Sequence, residues 1–173
     1  PKMAYVIWLT GISGAGKTTL GLKLKSELEK KYSHVEFIDG ESVRGFFEDD
    51  LGYTREERVL NIKRIAFAAM LVAKNGTPVI VANIAPYYKA RDFIRKSMKN
   101  YIQIFLKVSL EVVIKRDTKG HYQNHKEGKL NNLIGADDNY DVPRNPDLVI
   151  ETDRETPEES LTKIMDLLAK KGL

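Results

Sequence analysis

Five short runs of β-branched, aliphatic and aromatic residues punctuate the chain: Tyr5-Val6-Ile7-Trp8-Leu9, Val35-Glu36-Phe37-Ile38, Pro78-Val79-Ile80-Val81-Ala82, Ile102-Gln103-Ile104-Phe105-Leu106 and Leu148-Val149-Ile150. Each is nearly continuous rather than alternating, as strands covered on both faces are, and helix-length stretches separate them. The pattern predicts a parallel five-stranded sheet with helical crossovers. Between the first two runs Leu20, Leu24 and Leu28 recur every fourth residue, and before the third Ile62, Ile65, Ala66, Ala69 and Met70 form a second helical stripe. Thr54 with Glu57, and Thr156-Pro157-Glu158-Glu159, read as capping boxes; the second opens a helix whose inner face is Leu161, Ile164, Met165 and Leu168. Residues 117–147 break this rhythm. They are polar, rich in Gly, Asn and Asp, and without sustained period, a long excursion of the kind that serves as a lid.

Composition narrows the setting. A chain of 173 residues, 42% hydrophobic, can bury one good core, so residues 1–173 are expected to form a single domain with its lid at about 117–147. The absence of cysteine excludes a disulfide framework and thiolate metal sites. The apolar run Tyr5–Leu9 is too short to cross a bilayer or act as a signal sequence, which leaves a cytoplasmic protein with no membrane partner as the expectation. A net charge of +4 suits an anionic ligand without demanding one.

The sharpest chemistry is Gly11-Ile12-Ser13-Gly14-Ala15-Gly16-Lys17-Thr18, a full match to G-x-x-x-x-G-K-[ST] between a predicted strand and a predicted helix. Glycines let backbone N–H groups converge on a β-phosphate, the helix N-terminus adds its positive end, a lysine reaches the β and γ oxygens, and a hydroxyl is offered to Mg²⁺. Gly11, Ser13, Gly14, Ala15, Gly16, Lys17, Thr18 and Thr19 are therefore expected to bind ATP, with Thr18 toward Mg²⁺. A guanine-reading Asn-Lys-x-Asp is absent, which sets aside a switch GTPase. A nucleic-acid motor needs a longer chain and a basic groove laced with aromatics, so no nucleic-acid partner is expected. A kinase that hands the γ-phosphoryl to a small metabolite remains, and it needs a second anion site and a lid against water.

Ile38-Asp39-Gly40-Glu41-Ser42-Val43-Arg44 follows the second strand, at the carboxyl edge where open α/β sheets bind ligands. Asp39 is suited to organise Mg²⁺ and its waters or to accept a hydroxyl proton, and Arg44 to grip an anion. The same residues also read as a turn with solvated charges. Further on, Arg58 and Asn61 share a helical face just after Tyr53, which fits either a nucleotide site or a surface ion-pair helix.

Taken in order, the glycine loop, Asp-Gly-x-x-x-Arg, Asp-Leu-Gly-aromatic, Arg-x-x-Asn-Ile-x-Arg, Ile-x-Pro-Tyr at 84–87, Arg-Asp at 91–92 and Arg-Asp-x-Lys-Gly at 116–120 resemble the adenylylsulfate kinases over residues 5–152. The resemblance implies an α/β P-loop NTPase fold, a five-stranded parallel sheet flanked by helices, and a polar lid after the fourth strand. It implies transfer of the ATP γ-phosphoryl to the 3′-hydroxyl of adenosine 5′-phosphosulfate. Lys17 and Asp39 would be catalytic, Thr18 and Asp39 would meet the metal, and Arg116 would lie at ATP. Glu41, Arg44, Tyr53, Arg58, Asn61, Ile84, Lys119 and Leu133 would face the nucleotide acceptor, and residues 117–141 would move as a lid. Pairing into a homodimer is also expected, as relatives of this fold often pair.

The chain departs from the family pattern mainly on the acceptor side. Glu41 stands where the family has Asp, Ala85 where it has Ser, and Leu133 where it has Phe; His121, Gln123, Asn124 and His125 replace Leu, two basic residues and Ala. A base–aromatic stack is worth about 1–3 kcal/mol, so Leu133 keeps open a different 5′-modified nucleotide, such as cytidine diphosphoramidate. A nucleotide-binding regulatory module without transfer activity is the third reading, against which Lys17, Thr18 and Asp39 stand. His121 and His125, four apart, read as lid surface or nucleotide contacts rather than a metal site.

Overall fold

The computed structural model describes residues 2–130, 133–135 and 138–172. Ala136 and Asp137, in the family-like run of the lid, lie outside the described residues. Strand β1 (Val6–Thr10) passes through the glycine loop into α1 (Lys17–Leu28), and β2 (Glu36–Asp39) runs directly into α2 (Gly40–Phe46). Helix α3 (Arg55–Lys74) returns to β3 (Val79–Ala82), followed by α4 (Tyr88–Ser97), β4 (Tyr101–Lys107), α5 (Leu110–Arg116) and α6 (His121–Lys126). The chain then closes with β5 (Leu148–Glu151) and α7 (Pro157–Lys170). Every strand pair is parallel, in the order β2-β3-β1-β4-β5. This is the expected α/β P-loop NTPase fold.

The β1 side chains alternate between the two faces, as the two-residue period of a strand requires. Val6 and Trp8 join Ile62, Ile65, Ala69 and Ile94 beneath α3 and α4. Ile7 and Leu9 join Leu20, Leu24, Ile164 and Leu168 beneath α1 and α7. Both predicted stripes are thus core faces, with Met70 only partly buried at the flank of its own. The expectation of strands covered on both faces holds for β1 and β3 but is corrected for β2 and β5. These are the sheet's edges, with a neighbour on one side only; Glu36 of β2 is exposed, as is Val149 of β5.

Both capping boxes form. The Thr54 hydroxyl accepts the Glu57 N–H at 3.2 Å and the Glu57 carboxylate accepts the Thr54 N–H at 3.3 Å, with the same pattern at Thr156 and Glu159. The Glu57 carboxylate also accepts the Gly52 N–H, which leads the hydrogen bonds that hold its pKa below the usual range.

Helices α2, α4, α5 and α6 are not among the predicted elements. Three are a turn or two long, and the inner face of α4 is interrupted by a buried arginine, Arg91. Nor is the polar stretch after β4 a bare loop. Its few apolar side chains, Tyr122, Leu133 and Ile134, pack with Ile12, Tyr87 and Val113 in a third cluster over the sheet edge.

Replacing Thr54 with Ala removes the α3 box and should lower stability by about 1 kcal/mol. Urea unfolding followed by circular dichroism checks this; an unchanged midpoint would mean the box contributes nothing.

Candidate active site

Gly14 and Gly16 take φ of 85° and 100°, backbone open to glycine, and so turn the loop over the N-terminus of α1. Two cavities flank this loop. One, of about 310 Å³, is lined by Gly14, Ala15, Gly16, Lys17, Thr18 and Thr19, by Arg116 and Lys119, and by Thr152, Glu155 and Ser160 beyond β5. The other, of about 420 Å³, is lined by Asp39, Glu41, Arg44, Tyr53, Arg58, Asn61, Ile84 and Leu133, with Ser13, Asn83 and His121. Lys17, Thr18 and Lys119 line both, so the cavities meet at the loop lysine.

Most residues singled out in the sequence are therefore brought to one edge of the sheet. Two sit differently from expectation. Gly11 lines neither cavity: a Cβ there would come within 2.9 Å of the Leu106 carbonyl, so this glycine lets the loop pass β4. Ser13 lies on the acceptor-side cavity, its hydroxyl 3.1 Å from His121 Nδ1 and its carbonyl accepting from Tyr122 O–H at 2.7 Å. Sequence reasoning missed Thr152, Glu155 and Ser160. They follow the carboxyl end of β5, and the edge rule that pointed to Asp39 after β2 would have found them.

Lys17 is folded back on its own loop, donating to the carbonyls of Gly11 at 2.7 Å and Ile12 at 3.0 Å. Burial, with the charge of Lys119 second, pushes its pKa down to about 7. Asp39 ends β2 and caps α2: Oδ1 accepts the Ser42 N–H at 2.7 Å, fixing the carboxylate and leaving Oδ2 without a hydrogen bond to any described residue. Arg116 reaches from α5 across the first cavity to the Gly14 and Thr152 carbonyls at 3.4 and 3.1 Å.

On the acceptor side, Arg44 donates to the carbonyls of Leu51 at 3.1 Å and Gly52 at 3.0 Å, and its guanidinium stacks 4.2 Å from the centre of the Tyr53 ring. Arg58 donates to the Tyr53 carbonyl at 3.0 Å and approaches the same ring at 5.2 Å. Asn61 is buried on the same helical face, its Oδ1 without a hydrogen-bond partner among the described residues. Among the described lining residues, Arg44, Arg58 and Lys119, with the half-protonated Lys17, face two carboxylates, Asp39 and Glu41, which makes this cavity favourable to anions.

The chain around Asp138 and Asp141 docks on the turn after β3 and on the start of α3. Asp138 accepts from Tyr87 O–H at 2.8 Å and from Arg55 at 2.5 Å. Asp141 accepts the Tyr88 N–H at 3.0 Å and donates its own N–H to the Pro86 carbonyl at 2.8 Å.

A phosphate-binding loop at the carboxyl edge of a parallel sheet, sharing its lysine with a second, cationic cavity, defines a P-loop kinase of small molecules. The family model described as adenylylsulphate kinase matches residues 3–151, and the chain belongs to that family. It is 40% identical over 171 residues to an adenylyl-sulfate kinase of Halothermothrix orenii, covering 99% of this chain and 92% of that protein. A probable bifunctional SAT/APS kinase of Sorangium cellulosum is also 40% identical over 168 residues; the match spans 97% of this chain but 29% of that longer protein. The structure of the Mycobacterium tuberculosis APS kinase CysC in complex with AMPPNP and APS superposes with a TM-score of 0.91 at 29% identity, covering 98% of this chain and 99% of that one.

Because the folded protein holds the Lys17 pKa below its unfolded value of 10.5, burying the ammonium costs stability at acid pH, and that cost is relieved as pH rises from about 7 toward 10.5. A triphosphate restores the charge. Calorimetric titration with ATP at pH 8, in buffers of different ionisation enthalpy, should show uptake approaching about one proton, falling toward zero at pH 6. Lys17→Met should abolish the difference, and equal uptake at both pH values would contradict it.

Proposed function

We propose that this chain transfers the γ-phosphoryl of ATP to the 3′-hydroxyl of adenosine 5′-phosphosulfate, forming 3′-phosphoadenosine 5′-phosphosulfate and ADP. The observation that carries the reading is the pair of cavities meeting at Lys17, one built for a triphosphate tail and the other cationic with a carboxylate at its mouth. Family membership, and a relative solved with AMPPNP and APS, support the two ligands.

The protein's work is positional and electrostatic. Loop amides and Lys17 hold the β and γ phosphates, and Arg116 lies along the nucleoside side. The acceptor's 3′ oxygen forms a bond to the γ-phosphorus as the bond to the β–γ bridging oxygen breaks; the hydroxyl proton is taken by the open oxygen of Asp39. Arg44 and Arg58 anchor the acceptor's anionic end, with Tyr53, Asn61, Ile84 and Leu133 around its nucleoside and Glu41 and Lys119 at the rim. The docked lid keeps water from the phosphoryl.

Mg²⁺ fits the donors present. Thr18 and Asp39 offer a hydroxyl and a carboxylate oxygen on one cavity wall, and no group of three or more metal-binding side chains occurs among the described residues. That set suits a hard cation held largely by phosphate oxygens and water. When bound, the ion would neutralise charge on the phosphate tail. No helix among the described residues is long and apolar enough to cross a membrane, which fits the proposed cytoplasmic setting.

Leu133 favours a second reading, a kinase for another 5′-modified nucleotide such as cytidine diphosphoramidate, because it places an aliphatic side chain at the acceptor cavity. ADP release with Mg²⁺-ATP and a panel of 5′-modified nucleotides decides. Adenosine 5′-phosphosulfate should give the highest kcat/KM; a better pyrimidine nucleotide would replace it, and no stimulation by any of them would leave a regulatory module. Leu133→Phe should lower the acceptor KM roughly tenfold if the base is adenine, and Asp39→Asn should lower kcat by about 10²–10⁴.

The homodimer is proposed through the outer face of α3. Leu60, Phe67 and Leu71 are 43%, 59% and 44% exposed and, with Arg64 between them, follow a four-three-four spacing; Phe46 of α2 is 81% exposed. Two copies of α3 packed antiparallel would set Leu60 against Leu71 and the acidic start of the helix, Glu56, beside its basic end, Lys74. Light scattering should give twice the chain mass for the native protein and a monomer for Phe67→Glu; a native monomer would refute the pairing.

A further inference from the structure

Arg91 lies on the inner face of α4, only 3% exposed. A guanidinium cannot shed its charge in a protein, and a buried charge without an ionic partner is costly. Among the described residues its guanidinium donates from Nε to the Ala85 carbonyl at 2.7 Å, while Nη1 and Nη2 meet no acceptor in good hydrogen-bond geometry, although the charge lies close enough to the Tyr140 hydroxyl to oppose the rise that burial gives its pKa. Its charge rests instead against aromatic faces, 4.8 Å from the centre of Tyr140 and 5.7 Å from that of Tyr88.

What that expense secures is a particular backbone. Ala85 has φ of 42°, the left-handed region that penalises a residue with a Cβ. Its peptide is pinned from both sides, since Asn83 Oδ1 accepts the Ala85 N–H at 3.0 Å and Arg91 holds its carbonyl. The residue before it, Ile84, lines the acceptor cavity. The Ile84 carbonyl accepts from the Thr10 hydroxyl at 2.5 Å, and that hydroxyl lies 2.7 Å from Tyr140 O–H. Tyr140 stacks on Phe105, with ring centres 5.8 Å apart, and comes from the limb by which the lid returns to the sheet. Arg91 thus stands where the acceptor loop, the end of β1 and the returning lid limb join, touching the wall of the cavity from behind.

We propose that Arg91 is a positioning residue for the phosphoryl acceptor: it holds the Ala85 peptide in its left-handed conformation and seats the lid limb through Tyr140. The acceptor wall keeps its shape through a charge the substrate never meets, whereas the ATP side, built on the glycine loop and the turn after β5, does not depend on it. The inference rests on the proposed kinase reading, which wild-type turnover with adenosine 5′-phosphosulfate tests by itself.

Arg91→Lys and Arg91→Met, with folding checked by thermal melts, should raise the acceptor KM about tenfold or more and leave the ATP KM within about twofold. Adding Ala85→Gly, which makes a positive φ free of strain, should restore part of the acceptor KM in the Arg91→Lys background. If the variants do not fold, Tyr140→Phe, which keeps the ring and removes its hydroxyl from Thr10, should give the same one-sided rise. Equal rises for both substrates, or an unmoved acceptor KM, would overturn the proposal, as would a failure of glycine to rescue. Should wild type turn over no acceptor, the same comparison is made on calorimetric affinities for ATP and adenosine 5′-phosphosulfate: a one-sided loss supports Arg91's role, and equal or absent losses overturn it.

Discussion

All five strands point the same way, and that constraint organises the rest of the molecule. In a parallel sheet every strand delivers its following turn to one edge, so five turns open together, and each helix that follows presents its N-terminus there. The turn after β1 is the phosphate loop, that after β2 begins at Asp39, that after β3 holds Asn83 to Tyr87, and those after β4 and β5 lead to Arg116 and to Thr152 and Glu155. Trp8 ties two of these together by donating its indole N–H to the Asn83 carbonyl at 3.3 Å. No loop had to find the site by chance. The site is where the topology sends the loops.

Such an edge gathers positive potential, and the side chains add to it. Burial opposes the charge on Lys17, and the nearby charge of Lys119 opposes it further. Folding the Lys17 amine onto the Gly11 and Ile12 carbonyls keeps it hydrogen-bonded while its proton is easily lost. An arriving polyphosphate offsets both with its own negative charge. Binding and protonation are therefore linked, and selectivity for highly charged tails follows from the same arrangement.

The sheet was legible because its signal is repetitive: each predicted strand end falls within one residue of the observed one, and α1, α3 and α7 were marked by stripes or capping boxes. The phosphate loop was legible because its chemistry dictates residue types at fixed spacing. Other features depend on contacts between distant positions and leave no local period. Tyr122, Leu133 and Ile134 look scattered along a polar tract until the fold sets them over Ile12 and Val113. Helix α4 was hidden because Arg91 occupies an inward position that pattern reading assigns to an apolar residue. Asn83, a polar residue ending a buried strand, becomes intelligible as the cap for the Ala85 peptide.

Arg44 makes contacts that the sequence reading left out. Sequence suggested a grip on an anion, but the structure has it donating to the Leu51 and Gly52 carbonyls, with its plane against Tyr53 and Arg58 approaching the same ring. On the proposed reading, a base entering the acceptor cavity meets a ring already engaged by cations rather than a bare aromatic face. Leu133, which lines the same cavity, is packed in an apolar cluster, so Tyr53 is the one phenol ring among the described lining residues. On the proposed reading, discrimination among bases rests less on stacking area and more on the polar lining of the cavity. A polar group left unpaired by the wrong base is a sharper filter than the loss of one aromatic contact.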